Sequence, residues 1–294
     1  MAGSGGSWTV RHVLDWTAGH LAQAGSDSGR LDAELLLCHA LGGLERIRLY
    51  MDPDRPLSQA ERDTYRELVR ARAAGTPVAH LLGEREFWSL PLRVTADTLI
   101  PRPDTEALVE QALTHLPDDE PRRVLDLGTG SGCIAAALAH ERPEASVDAV
   151  EASAAAAAVA QDNMERLGLS ERVRVLTGEW FAPVADATYD LMVSNPPYVR
   201  ADDPHLDQGD VAAEPRTALT AGADGLDAYR QLIPAAGAHL APGGWLLLEI
   251  GWDQGEAVRD LLTQAGFEEV AIRPDYGGRD RVAEARHPGP PTSP

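Results

Sequence analysis

The segment VSNPPYV, residues 193–199, closes an apolar run with an asparagine, two prolines and a tyrosine. Proline has no N–H, so Pro196 and Pro197 offer carbonyl oxygens without adjacent donors. Asn195 precedes a proline and is held toward extended backbone geometry, which restricts where its carboxamide points. The Asn195 side-chain oxygen and the Pro196 carbonyl then make a fork of two acceptors, the complement of a planar NH2 group. Such a group, in an amide or on a base, is a weak nucleophile because its lone pair is delocalised. With both hydrogens held, its out-of-plane lobe can be aimed at a fixed electrophilic carbon while Tyr198 stacks on its plane. The proton can leave after transfer, when the nitrogen has become acidic, so no dedicated base is required. A Pro-Pro turn ending a strand is the plain alternative; its position beside a second, glycine-rich constellation weighs against it.

That second constellation is VLDLGTGSG, residues 124–132, which reads as strand, tight turn and helix start. Gly128, Gly130 and Gly132 let the backbone approach a ligand, and the helix beginning there supplies free N–H groups. A dinucleotide fingerprint would place a third glycine at position 133, where this chain has cysteine. The spacing G-x-G-x-G behind Asp126 instead resembles the loop of class I S-adenosylmethionine-dependent methyltransferases. That resemblance implies Asp126, Gly128, Thr129, Gly130, Ser131 and Gly132 as cofactor residues. Glu151 ends the next strand and can accept from two ribose hydroxyls, although it could also merely cap the following Ala-rich helix. Trp180, in GEWF, offers an aromatic face for adenine.

These residues need a scaffold that brings several strand ends together. From residue 123 onward, strands are expected at 123–127, 146–151, 172–177, 189–194, 245–250, 268–273 and 281–285. Helices are expected from 132, up to about Leu167, around 226–240 and at 254–265. Alternation of this kind implies a mostly parallel sheet covered on both faces. Only DYGG separates the last two strands, too short for a crossover, so they should pair antiparallel. Before this region, apolar residues at helical spacing in 8–23, the stretch LDAELLLCHALG closed by Gly42 and Gly43, and a Ser58/Glu61 capping box opening a helix to about Ala74 predict a small helical bundle. Between them, EFWSLPLRVT at 86–95 reads as an edge hairpin.

The chain has 294 residues and a net charge of -20, with no lysine among its 26 basic residues. Schiff-base chemistry and a P-loop lysine are thereby excluded. Residues 1–83 carry 9 Arg against 10 acidic side chains, so nearly all the excess negative charge lies in 84–294. An acidic domain repels a phosphate backbone, and nucleic acid is not expected as a direct partner. Nine scattered histidines form no metal-ligand pattern, and Cys38 and Cys133 are expected as packed free thiols. No apolar run is long enough to span a membrane, and the opening MAGSGGS lacks the regions of a signal peptide, so a cytoplasmic location is expected.

Taken over almost its whole length, the sequence closely resembles the bacterial release factor glutamine methyltransferase family. The resemblance is carried by PVAHLLGEREFWSLPLRVTADTLIPRPDTEALVEQAL, DLGTGSG, GEWF, VSNPPYV, PHLDQGDVAAEP with Glu214 and Pro215, LLLEIGWDQGEAV and DYGGRDR. The connector with IPRPDTE is more specific than either chemical motif. The resemblance implies methylation of the side-chain nitrogen (N5) of the GGQ glutamine in peptide chain release factors. The donor would be S-adenosyl-L-methionine, leaving S-adenosyl-L-homocysteine, with no metal. It further implies a Rossmann-like seven-stranded methyltransferase sheet, last strand antiparallel, with a release-factor-binding helical domain at 1–83. A β-hairpin linker at 84–103, a methyltransferase domain at 104–287 and a flexible tail at 288–294 complete that organisation. Gly128 to Gly132, Glu151 and Trp180 would hold the cofactor, and Asn195, Pro196, Pro197 and Tyr198 the glutamine, with Asn195 near both. Departures from the family pattern are Glu151 for Asp and Glu179 where Asp is common. Because NPPY loops also serve base methylation, an N-methyltransferase acting on an exocyclic amino group in DNA or rRNA is the alternative. A monomer is expected, and residues 200–215 are long enough to cover the substrate.

Overall fold

The computed structural model describes residues 8–288; the opening MAGSGGS and the expected tail beyond residue 288 lie outside the described residues. Two compact units emerge: Met1–Gly83 with Pro204–Ala213, and Glu84–Asp203 with Glu214–Pro294.

In the first unit, helices α1 (Val10–Gln23), α2 (Gly29–Ala40), α3 (Arg46–Met51), α4 (Gln59–Ala73) and α5 (Val78–Leu82) surround an apolar core. Val10, Val13, Leu14 and Leu21 of α1 meet Leu36 and Leu37 of α2 and Tyr65 and Val69 of α4, each set at helical spacing. The expected capping box opens α4: the Ser58 hydroxyl accepts from Glu61 N while Glu61 reaches back to Ser58 N. Helix α3 escapes sequence reading because it buries only Leu49 and has no period to detect. Arg72, nearly buried, pairs with Asp32 at 2.7 Å and with Asp210, so the segment 204–213 belongs to this unit.

The second unit opens with the hairpin β1 (Glu84–Phe87) and β2 (Leu90–Arg93), in register from Glu84 opposite Arg93 to Phe87 opposite Leu90. Its turn residues Trp88 and Ser89 both have positive φ, a conformation that bulky residues resist. Tertiary contacts hold it: Trp88 N donates to Glu106 at 3.2 Å and the indole N–H to Glu141 at 2.8 Å. Helix α6 (Glu106–Thr114) follows, then β3 (Arg123–Leu127), α7 (Cys133–Glu141), β4 (Ser146–Glu151), α8 (Ala154–Arg166), β5 (Val173–Thr177) and β6 (Tyr189–Ser194). After the short α9 (Arg216–Leu219) come α10 (Asp227–Ala236), β7 (Leu240–Glu249), α11 (Gly255–Gln264), β8 (Glu268–Pro274) and β9 (Asp280–Arg286).

Among the described residues, seven strands form the sheet β5-β4-β3-β6-β7-β9-β8, with β9 antiparallel to both its neighbours. The architecture is the mostly parallel α/β sheet expected. Both faces are covered: α6 and α7 pack their alanines and leucines on one, α10 and α11 on the other, which is why β3 and β6 read as continuous apolar runs. Strand order reverses between β3, which leads outward to β4, and β6, so a crevice opens at their carboxyl ends. Two boundaries differ from expectation. Helix α10 stops at Ala236 rather than 240, giving way to a turn at Gly237–His239. Strand β7 begins at Leu240 rather than 245, because Gly244 has no side chain and lets the chain lie against the Asp190 carbonyl.

Candidate active site

The glycine loop joins β3 to α7 with Gly128, Gly130 and Gly132 all at positive φ. The loop residues divide into two layers. Gly128 and Gly130 face a cavity of about 550 Å³, whereas Asp126, Thr129 and Ser131 are buried and do not line it. The Thr129 hydroxyl donates to Asp126 Oδ2 at 2.6 Å, and Asp126 Oδ1 has no partner. Burial pushes the Asp126 carboxyl up to about 7, against the pull of Thr129. Gly132 serves packing: a Cβ there would meet Met164 at 2.8 Å and Ala160 at 3.3 Å, so α8 approaches closely only because position 132 is bare. Asn163 Nδ2 donates to the Ser131 carbonyl at 2.8 Å and to the Arg93 carbonyl at 3.0 Å, tying the loop to the hairpin.

Glu151 lines the cavity from the end of β4. Its two oxygens accept from Gly130 N and Ser153 N, both at 2.9 Å, so capping and cavity lining occur together. Each oxygen keeps a further lone pair. Trp180 also lines the cavity, at φ 48°, its indole N–H donating to Gln231 Oε1 at 3.0 Å and its ring 4.0 Å from the place a Gly128 Cβ would occupy. Residues 96–99 and Pro215, Thr217 and Ala218 complete the enclosure.

Asn195 and Pro197 also line this cavity, while Asn195, Pro196 and Tyr198 line a second, smaller pocket beside it. Asn195 is thus common to both. The NPPY loop is braced on all sides. Ser194 Oγ donates to the Leu127 carbonyl at 2.6 Å, Gln254 Nε2 donates to the Tyr198 carbonyl at 3.0 Å, and Val199 N donates to the Leu219 carbonyl at 2.8 Å. Gly225 is pressed so closely on the Tyr198 carbonyl that a Cβ would sit 2.4 Å from it.

Four residues to which the sequence analysis gave no role stand at the small pocket or brace its walls. Glu249, the last residue of β7, is buried and accepts from the Tyr198 hydroxyl at 3.1 Å. Burial pushes its carboxyl up, opposed by Thr105, Arg281 and Tyr198, and burial beside Glu249 likewise raises the Tyr198 phenol. Arg102 pairs with the buried Glu214, which also accepts from Ile100 N at 3.1 Å. Thr105 receives the Asn195 amide at 3.3 Å. The motifs IPRPDTE, EP and LLLEIG each held a signal, but spacing cannot reveal that they converge. Among the described residues no group of three or more His, Cys, Asp or Glu could hold a metal ion, and no helix is long and apolar enough to cross a membrane.

Sheet order and crevice are those of the class I S-adenosylmethionine-dependent methyltransferases, and the solved methyltransferase from Pyrococcus furiosus shares the fold. It superposes with a TM-score of 0.52 at 19% identity, covering 68% of this chain and 89% of that one. The PrmC N-terminal domain model matches residues 12–83, and the Methyltransferase small domain model matches residues 105–212. The release factor glutamine methyltransferase of Xylella fastidiosa (strain Temecula1) is 51% identical over 92% of this chain and 97% of its own length. That of Geobacter sulfurreducens is 47% identical over 95% and 97%. The chain belongs to the release factor glutamine methyltransferase family.

Proposed function

We propose that this enzyme methylates N5 of the GGQ glutamine of peptide chain release factors, with Asn195 as the polar residue shared by donor and acceptor; Leu99 and Ala218, which also line both cavities, are apolar. The observation that carries the reading is that Asn195 borders both the larger cavity and the small pocket lined by Pro196 and Tyr198. The cavity residues suit S-adenosyl-L-methionine. A volume of about 550 Å³ is of ligand size. Glu151 has lone pairs left for ribose hydroxyls, Trp180 offers a flat apolar face, and a net negative charge favours a sulfonium. When bound, the cofactor supplies an electrophilic methyl carbon.

The remaining work is binding and orientation. Asn195 Oδ1 and the Pro196 carbonyl accept the two amide hydrogens, and Tyr198 packs against the carboxamide plane. With its hydrogens fixed in the fork, the nitrogen presents its out-of-plane lobe in one direction, toward the larger cavity. Pre-orientation of this kind supplies much of a barrier reduction where the nucleophile is weak. The carboxamide proton is released once the nitrogen has become cationic and acidic. Residues 8–83 form the surface we assign to holding the release factor; Trp16, Ile47, Tyr50 and Met51 stand exposed there. The enzyme is taken to act as a monomer in the cytoplasm.

The test is mass spectrometry of release factor incubated with enzyme and S-adenosyl-L-methionine. The wild type is expected to add one methyl group to the GGQ peptide and none to naked rRNA or DNA. Asn195→Ala is expected to lower kcat/KM by about 100-fold or more while S-adenosyl-L-homocysteine still binds. Undiminished transfer by that variant would refute the fork.

A further inference from the structure

A carboxamide held in a pocket has two N–H groups that need acceptors and a carbonyl oxygen that needs a donor. The NPPY fork answers the N–H groups and leaves the oxygen. Of the side chains lining the small pocket, three carry N–H or phenolic O–H groups: Arg102, Asn195 and Tyr198. Asn195 turns its Nδ2 to Thr105 Oγ1 at 3.3 Å, and the single proton of the Tyr198 hydroxyl goes to Glu249 Oε1 at 3.1 Å. The Val199 amide is given to the Leu219 carbonyl, and Pro196 has none. Arg102 carries five N–H bonds, and among the described residues only its Nη2 is engaged, with Glu214 Oε2. Local structure fixes where this guanidinium stands. Arg102 lies between Pro101 and Pro103, and as the residue before a proline it is held extended, at φ -100° and ψ 142°. The Glu214 side chain is wholly buried and accepts from Ile100 N at 3.1 Å as well as from Arg102, so one carboxylate fastens both the backbone of this segment and its side chain. About a third of the Arg102 side chain, 34%, stays exposed.

We propose that Arg102 is a substrate-binding residue whose guanidinium, steered by Glu214, donates to the carbonyl oxygen of the substrate carboxamide, so that the small pocket recognises both ends of that group. The inference rests on the proposed glutamine substrate and adds a contact to it. A donor on the carbonyl oxygen draws the nitrogen lone pair further into resonance, so this contact does not make the nitrogen more reactive. What it supplies is affinity and in-plane orientation, nearly equal in the ground state and the transition state. Its signature therefore belongs in KM and not in kcat.

The test pairs one variant with three forms of the substrate protein. Arg102→Met keeps an apolar stem and removes the guanidinium. Release factor carrying GGQ, GGE or GGM is titrated by calorimetry into enzyme with S-adenosyl-L-homocysteine present, and kcat and KM are measured on GGQ. Methionine has the length of glutamine but no carbonyl oxygen, whereas glutamate keeps an oxygen that Arg102 can reach. Arg102→Met is expected to weaken binding of GGQ about tenfold and of GGE by as much or more, while GGM changes less than about twofold. KM on GGQ should rise about tenfold with kcat altered less than about threefold, and cofactor affinity should stay within about threefold. Equal losses for all three proteins would mean that Arg102 only braces the pocket wall, and overturn the proposal; so would a fall in kcat with all three affinities unchanged. If Arg102→Met alone fails to fold, the double variant Arg102→Met with Glu214→Gln leaves no buried charge unpaired, keeps an acceptor for Ile100 N, and carries the same expectations. A wild-type enzyme that fails to methylate release factor overturns the functional reading instead, so the two failures are distinguishable.

Discussion

Asp126 keeps a carboxyl in the centre of the sheet with one oxygen satisfied by Thr129 and the other by nothing. Because burial raises its folded-state value to about 7, the folded protein holds this proton over a pH range in which the unfolded chain has lost it. Stability therefore falls as pH rises from about 4 to about 7 on account of this group, and levels off above. Asp126→Asn keeps an acceptor for Thr129 and removes the charge. It is expected to stabilise the protein more at pH 8 than at pH 5, by on the order of 2 kcal/mol, in urea unfolding at the two pH values. An equal effect at both would show that Asp126 is not titrating in this interval. Glu151, by contrast, has both oxygens on backbone amides and faces the cavity, which Asp126 does not, so the two acids bordering the glycine loop have different tasks.

At the scale of elements, the glycines of one loop also divide by task. Gly132 has positive φ and no room for a Cβ against α8, whereas Gly130 has positive φ and open space. Gly132→Ala is expected to cost about 2–4 kcal/mol of stability, from left-handed strain plus overpacking. Gly130→Ala should cost only about 1–2 kcal/mol but weaken cofactor binding, because its N–H holds Glu151 and its Cα borders the cavity. Denaturation midpoints and cofactor titration separate the two. Asn163 is the other asparagine of the chain, and it acts at this scale, joining α8 to the loop and to β2 through three bonds of 2.7–3.0 Å. The hairpin expected from EFWSLPLRVT is thereby tied to the glycine loop as well as serving as a connector.

For the whole molecule, the two compact units should answer to different ligands. S-adenosyl-L-homocysteine at 100 times its Kd is expected to stabilise the second unit, and not the first, by about 2.7 kcal/mol. Hydrogen exchange should slow at residues 127–132, 151–153 and 178–180 and remain unchanged in α1 and α4. Slowing in α1 and α4 on adding cofactor alone would contradict the assignment of the crevice. Addition of release factor should instead protect the N-terminal helices, where exposed Ile47, Tyr50 and Met51 lie on α3.

Much of the fold was legible without coordinates because its signals are local. Strands β3, β4 and β6 run between the residues that apolar runs and turn glycines mark, and DYGG forces β8 and β9 to pair antiparallel. The two chemical motifs were equally legible, since a glycine loop and NPPY each carry their meaning within a few residues. Helix α3 and the early start of β7 were not, for neither has a period and both are decided by packing. The partition of the loop into buried and cavity-facing residues was also beyond one dimension, as were the pairing of Asn195 with Thr105 and that of Tyr198 with Glu249. Spacing along the chain dictates which backbone states and hydrogen-bonding groups exist. Which of those groups face each other, and hence which end of the Asn195 carboxamide Thr105 engages, is a matter of strand order and register, and only the tertiary structure decides it.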